Sequence, residues 1–137
     1  DDGSATADVT VYAEVYDANK ALLKEDEFLA VSGKVSEDRF SGGMRITAEK
    51  VMDIGAARVQ FGRQFSFSVT GSLDLAQMKT VLTPHRCATG LPLIVHYIQQ
   101  GIGCEIRWPD EWRVAPGDAL KQSLVDRLGV AGAVVEY

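Results

Sequence analysis

The chain has 137 residues, 46% of them hydrophobic and 24% charged, and a formal net charge of −5. These proportions match ordinary globular domains and exclude a disordered tail, a collagen-like fibre and a disulfide scaffold. No apolar run reaches the roughly 18–20 residues that span a bilayer. Charge is unevenly spread, with 7 basic and 12 acidic side chains in residues 1–60 against 7 of each in residues 61–137. The first part is therefore a poor electrostatic match for a phosphate backbone, whose affinity comes from Lys and Arg. Asp1-Asp2-Gly3-Ser4 lacks the basic start and apolar stretch of a signal peptide, and with no initiator Met the chain is expected to be a piece of a longer one.

Val9 to Tyr16 alternates and is rich in β-branched and aromatic residues, which predicts a strand burying Val9, Val11, Ala13 and Val15. Asp17 to Lys24 reads as a short helix-like connection with Leu22 and Leu23 turned inward. Phe28 to Ser36 predicts a second strand, burying Leu29, Val31 and Val35, with Gly33 marking a bulge or bend. Met44 to Val51 predicts a third, with Met44, Ile46 and Ala48 on one face and Arg45, Thr47 and Glu49 on the other. Between the last two, Glu37–Gly43 carries the glycines of a hairpin turn. Three strands with one open face form an incomplete sheet with unpaired edges.

The pattern changes beyond residues 55–62. Phe65–Thr70 alternates as a strand, and Asp74-Leu-Ala-Gln77 has the spacing of a capping box. Leu75, Met78 and Leu82 then form one helical stripe before Pro84. Leu91–Ile98 and Ile102–Trp108 are two strands joined by a Gln-Gln-Gly hairpin, and Trp112–Val114 is a short extended piece. A helix is predicted from about Asp118 to Leu128, with Leu120, Leu124 and Leu128 on one face and Gly129 as its stop. Ala133–Tyr137 closes as a strand, so residues 64–137 read β-α-β-β-α-β, the ferredoxin-like order. The expected class is α+β.

No catalytic constellation is present: the sequence has no G-x-S-x-G, no phosphate-cradling Gly loop and no His-Glu-x-x-His. Acidic clusters such as Glu25-Asp26-Glu27 and Asp110-Glu111 fall in predicted turns and read as solvated surface. Cys87, Cys104, His85 and His96 match no common zinc spacing, and the cysteines read as reduced thiols of a cytosolic protein. No metal and no cofactor is expected. Two places carry binding chemistry. Arg39 and Phe40 in the hairpin loop, with Lys34 and Arg45 on the flanking strands, are either a small stacking platform for single strands or a turn with Phe40 folded back. Trp108 falls in a strand's alternation and reads as core, whereas Trp112 beside Arg113 is either core or an interface anchor.

The segments Leu22-Leu-Lys-Glu-Asp26, Val31-Ser-Gly-Lys-Val-Ser36, Phe40-Ser-Gly-Gly-Met44 and Val51-Met-Asp-Ile54 resemble the oligonucleotide-binding domain of bacterial DNA polymerase III alpha subunits. Leu82-Thr-Pro-His-Arg86 and Trp112-Arg-Val-x-Pro116 resemble the segment that follows it, and the proteobacterial type is the most similar. The resemblance runs in order over nearly the whole chain. It implies the last three strands of an OB-fold over residues 1–57, then a C-terminal domain over residues 58–137 that binds the tau subunit of the clamp loader. It also implies a non-catalytic part of a DNA-directed DNA polymerase, cytoplasmic, not membrane-bound and joined to the rest of the polymerase chain. Single-stranded DNA would be held weakly by Lys34, Arg39, Phe40 and Arg45. Tau would be held by Trp112, Arg113, Val134, Val135 and Tyr137. The alternative is a stand-alone OB module that binds single strands weakly.

Overall fold

A computed structural model describes residues 7–37 and 42–137. The chain forms two compact units, one ending at Ile54 and the other running from Gly55 to Tyr137.

In unit 1, β1 (Val9–Thr10) precedes α1 (Ala13–Asn19), and β2 (Leu29–Glu37) and β3 (Met44–Asp53) follow. The sheet order is β1-β3-β2, with β1 parallel and β2 antiparallel to the central strand. A helix between the first two strands and a hairpin closing onto the third fit the last strands of an OB-type sheet. The expected strand over 9–16 is corrected: only Val9 and Thr10 pair, opposite Ile46 and Thr47, and the chain then turns into α1. The valines fit both periods: Val11, just before the helix, and Val15 and Asn19 within it fall at i, i+4 and i+8 and are half-buried. Asn19 Nδ2 donates to the Val15 carbonyl at 2.8 Å within that helix.

Register in the hairpin slips between Ser32 and Gly33, so Glu49 is the extra residue on β3. A Cβ at Gly33 would fall on the Thr47 carbonyl oxygen, which is why the bulge needs glycine there. Beyond the bulge Ala48, Val51 and Met52 form the buried part of unit 1. The expected burial of Val31 and Val35 is not found: Val35, like the exposed Met44, lies on the far side of the bulge from Val51 and Met52, and Val31, although paired with the buried Val51, is itself 40% exposed. Leu29 and Ile46 are half-buried.

In unit 2, α2 (Ile54–Phe61) leads into β4 (Gln64–Thr70), α3 (Leu75–Leu82), β5 (Arg86–Leu91), β6 (Leu93–Gln99) and β7 (Ile102–Arg107). α4 (Asp118–Leu128) and β8 (Ala131–Glu136) complete it. The four-stranded sheet has the order β7-β6-β4-β8, with β4 and β6 parallel and the other pairs antiparallel. The element order is the predicted one with β5 added. The helix-linked strands β4 and β6 are immediate neighbours, whereas a split arrangement would place a strand between them. The Gln100-Gly101 turn, both residues at positive φ, pairs β7 with the edge of β6 opposite β4.

The core lies on one face of this sheet. Phe65, Phe67 and Val69 alternate along β4, stand beside Leu93 and Val95 of β6, and pack against Met78, Val81 and Leu82 of α3 and Leu120 and Leu124 of α4. Val81 thus replaces Leu75, which is 54% exposed, in the buried stripe of α3. Trp108 is buried as expected. α4 ends at Gly129 in the left-handed region, whose N–H donates to the Val125 carbonyl. Arg58 of α2 reaches the start of α4, donating to the Pro116 carbonyl and pairing with Asp118 at 2.9 Å.

Asp74 caps α3, its carboxylate accepting from the N–H groups of Ala76 at 2.9 Å and Gln77 at 3.1 Å. The reciprocal half of the capping box is not made: Gln77 Nε2 donates to the Arg127 carbonyl at 2.9 Å and ties α3 to the end of α4. Asp74→Ala is therefore expected to cost unit 2 about 0.5–2 kcal/mol. Thermal unfolding followed by tryptophan emission measures it directly, since Trp108 and Trp112 both lie in unit 2.

Candidate functional site

On unit 1, Lys34 lies opposite Thr47 and Arg45 opposite Ser36, so the register puts Lys34, Arg45 and Glu49 on one face of the hairpin. Lys34 Nζ meets the Glu49 carboxylate at 2.9 Å, and that contact raises the ammonium above its ordinary pKa. The pair is exposed, so its energy is small, but it sets one carboxylate beside one of the few cations on this face. Arg39 and Phe40 lie outside the described residues, as does the Asp38–Ser41 tip of the loop.

On unit 2, Trp112 ends a 3-10 turn, Asp110–Trp112, in place of the extended piece expected there. The turn forms because Pro109 fixes the backbone before it and the Trp112 and Arg113 N–H groups donate back to the carbonyls of Pro109 and Asp110. Trp112 is half-buried against Trp108, edge to face, with ring centroids 5.3 Å apart. The Arg86 guanidinium stacks over the Trp112 ring at 4.7 Å and donates from Nε to the Glu111 carbonyl at 3.0 Å. Lys79 approaches the same ring at 6.0 Å. Trp112 thus packs on Trp108 of the core while staying half-buried, with Arg86 and Lys79 over its ring.

Arg113 is turned elsewhere. Its Nη1 donates to the Gly90 carbonyl at 3.5 Å, while its own carbonyl accepts from Cys87 N–H at 2.8 Å. The next residue, Val114, bridges both Arg86 and Leu91, the two ends of β5. A Cβ at Gly90 would fall on the Val114 carbonyl oxygen, so glycine lets the two backbones meet. In β5 the Cys87 thiol lies 3.3 Å from the Thr89 hydroxyl, which lowers its pKa. Among the described residues no group of three or more His, Cys, Asp and Glu is arranged to hold a metal ion.

β8 is an edge strand, paired only with β4 among the described residues. Its register shifts between Ser66 and Ser68, and Gly132 takes a positive φ, so the edge is bulged at its start and regular only from Val134. Val134 is 45% exposed and Tyr137 is 73% exposed, whereas Val135 turns inward against the core. Glu136 accepts from the Ser66 hydroxyl and from Gln64 Nε2, the latter at 2.8 Å, which holds its carboxyl below the usual range. The sites expected to act together thus lie apart in the strand order, with Trp112 close after β7 and Val134 on β8 at the opposite edge.

Fold and site define an α+β chain of two units, the second presenting a half-buried Trp112 and an exposed Val134 and Tyr137. No family model matches it. Over its full length it is similar to the DNA polymerase III subunit alpha of Vibrio cholerae at 38% identity and to that of Escherichia coli K12 at 35%. That of Pseudomonas fluorescens is 29% identical, again over the whole chain. The chain spans 12% of the length of each of these curated relatives. Its homologues are alpha subunits of the proteobacterial DNA polymerase III, as the sequence resemblance implies. Among the described residues no helix is long and apolar enough to cross a membrane.

Proposed function

We propose that this chain is a non-catalytic, C-terminal part of a replicative polymerase alpha subunit in the cytoplasm, and that unit 2 tethers the polymerase to the tau subunit of the clamp loader. Homology over the full length to alpha subunits carries this reading. Accessible anchors on unit 2 support it: a half-buried Trp112 backed by Trp108, and an edge strand that presents Val134 and Tyr137. Aromatic anchors of this kind supply most of the binding energy in protein interfaces. The OB-type sheet of unit 1 gives a weak contact with single-stranded template through Lys34, Arg39, Phe40 and Arg45. The acidic balance of residues 1–60 and the Lys34–Glu49 pair keep that contact weak and salt-sensitive.

The residues are tested by measuring tau affinity and thermal stability on the same variants. Trp112→Ala is expected to weaken tau binding by more than about 1 kcal/mol, as hot-spot truncations do. Arg113 and Val135 are engaged in the fold, and their replacement is expected to lower stability as well as affinity. The exposed pair Val134→Asp with Tyr137→Ala is expected to weaken binding while leaving the melting temperature close to that of the parent. If all of these variants stay folded and bind tau like the parent, the interface lies elsewhere.

A further inference from the structure

Two grooves on unit 2 meet at Glu111. One, of about 290 Å³, is lined by the apolar Leu75, Ile106, Trp108, Pro109 and Trp112 together with Lys79 and Arg107. The other, of about 600 Å³, is bordered by Arg86 and Arg113 and shares Glu111 with the first. Four of the seven Lys and Arg side chains of residues 61–137 thus border this surface, against two of the seven acids, Asp110 and Glu111. One of those acids is partly matched on that surface, Asp110 lying 3.9 Å from Arg107. In a chain of net charge −5 this is a local basic excess around an apolar slot.

We propose that this slot docks a partner segment in which a large apolar side chain is flanked by carboxylates. The apolar residue enters between Leu75, Trp108 and Trp112, and the carboxylates meet Lys79 and Arg107. A nucleic acid is the poorer match, because Arg86 already occupies one face of the Trp112 ring and denies it to a base. Asp110 and Glu111 also interrupt the cationic track that successive phosphates require. The inference deepens the tau reading, since it assigns a chemistry to whatever partner reaches Trp112.

The test uses a short acidic probe peptide, Asp-Glu-Leu-Phe-Asp-Glu, added to the 137-residue chain. Tryptophan emission is the readout, because the two tryptophans are both at the slot. The acidic peptide is expected to shift the emission. Its Lys-flanked counterpart and a version with Ser-Ser in place of Leu-Phe are expected to bind at least about tenfold more weakly. Lys79→Glu with Arg107→Glu should invert the preference, so that the Lys-flanked peptide becomes the better ligand of the variant. Equal binding of the acidic and Lys-flanked peptides to the parent overturns the proposal, as does binding that survives loss of Leu-Phe. So does a short oligothymidylate that displaces the acidic peptide. Purified tau titrated into the same double variant separates the two readings. Undiminished tau binding with an inverted peptide preference removes tau from this slot and leaves the slot's chemistry standing. Lost tau binding with no peptide preference does the reverse.

Discussion

Phe67→Ala is expected to lower the melting temperature of unit 2 by on the order of 20 °C. The ring has no solvent exposure, stands on a central strand between β6 and β8, and contacts Phe65 with centroids 6.4 Å apart. Truncating a buried Phe costs about 3–5 kcal/mol, because the transfer energy and the unfilled cavity add. In a unit of this size each kcal/mol moves the midpoint by roughly 4–8 °C. The cavity would open in the layer that α3 and α4 cover. Thermal unfolding by tryptophan emission checks the value, and a fall of only a few degrees would mean that the layer between sheet and helices is not the core of unit 2.

Gly33→Ala is expected to destabilise unit 1 and spare unit 2. The added Cβ meets the Thr47 carbonyl oxygen, a backbone atom held by the β2–β3 ladder, so relief requires moving a strand. Overpacking of this kind costs about 1–3 kcal/mol, and unit 1 has only Ala48, Val51 and Met52 fully buried among its described residues to oppose it. Amide hydrogen exchange resolves the two units: protection should fall across Leu29–Asp53 while tryptophan emission reports an unchanged unit 2. Unaltered protection in β2 and β3 would show that the bulge is not built as described.

What could be read from the sequence follows how strongly each segment is periodic. The β4 strand, α3 and α4 were legible because Phe65-Ser-Phe-Ser-Val69 has one period and Leu120, Leu124 and Leu128 have another. Residues 9–16 differ from the expected strand because the valines satisfy both periods and pairing decides between them: only Val9 and Thr10 find a partner on β3. The β5 strand carries no apolar pattern, since Arg86-Cys-Ala-Thr-Gly-Leu91 is held by its approach to Val114 at Gly90. The same reason hides the stacking of Arg86 on Trp112. The two are far apart in the chain and no local spacing records their meeting. Trp112 itself was found from residue type and position, but Arg86 and Lys79, which shape its surroundings, were not. Arg113 beside it reads as an anchor because Arg is common in interfaces, and its Nη1 contact with the Gly90 carbonyl at 3.5 Å is again one that no local spacing records.

The tether to the clamp loader is tested most directly by titrating purified tau into the 137-residue chain and recording the heat of binding. The expected result is saturable binding at one site per chain, with affinity retained by Lys34→Ala with Arg45→Ala on unit 1 and weakened by Trp112→Ala on unit 2. Absence of binding by the parent chain, or loss caused by the unit 1 substitutions while Trp112→Ala binds normally, would contradict it.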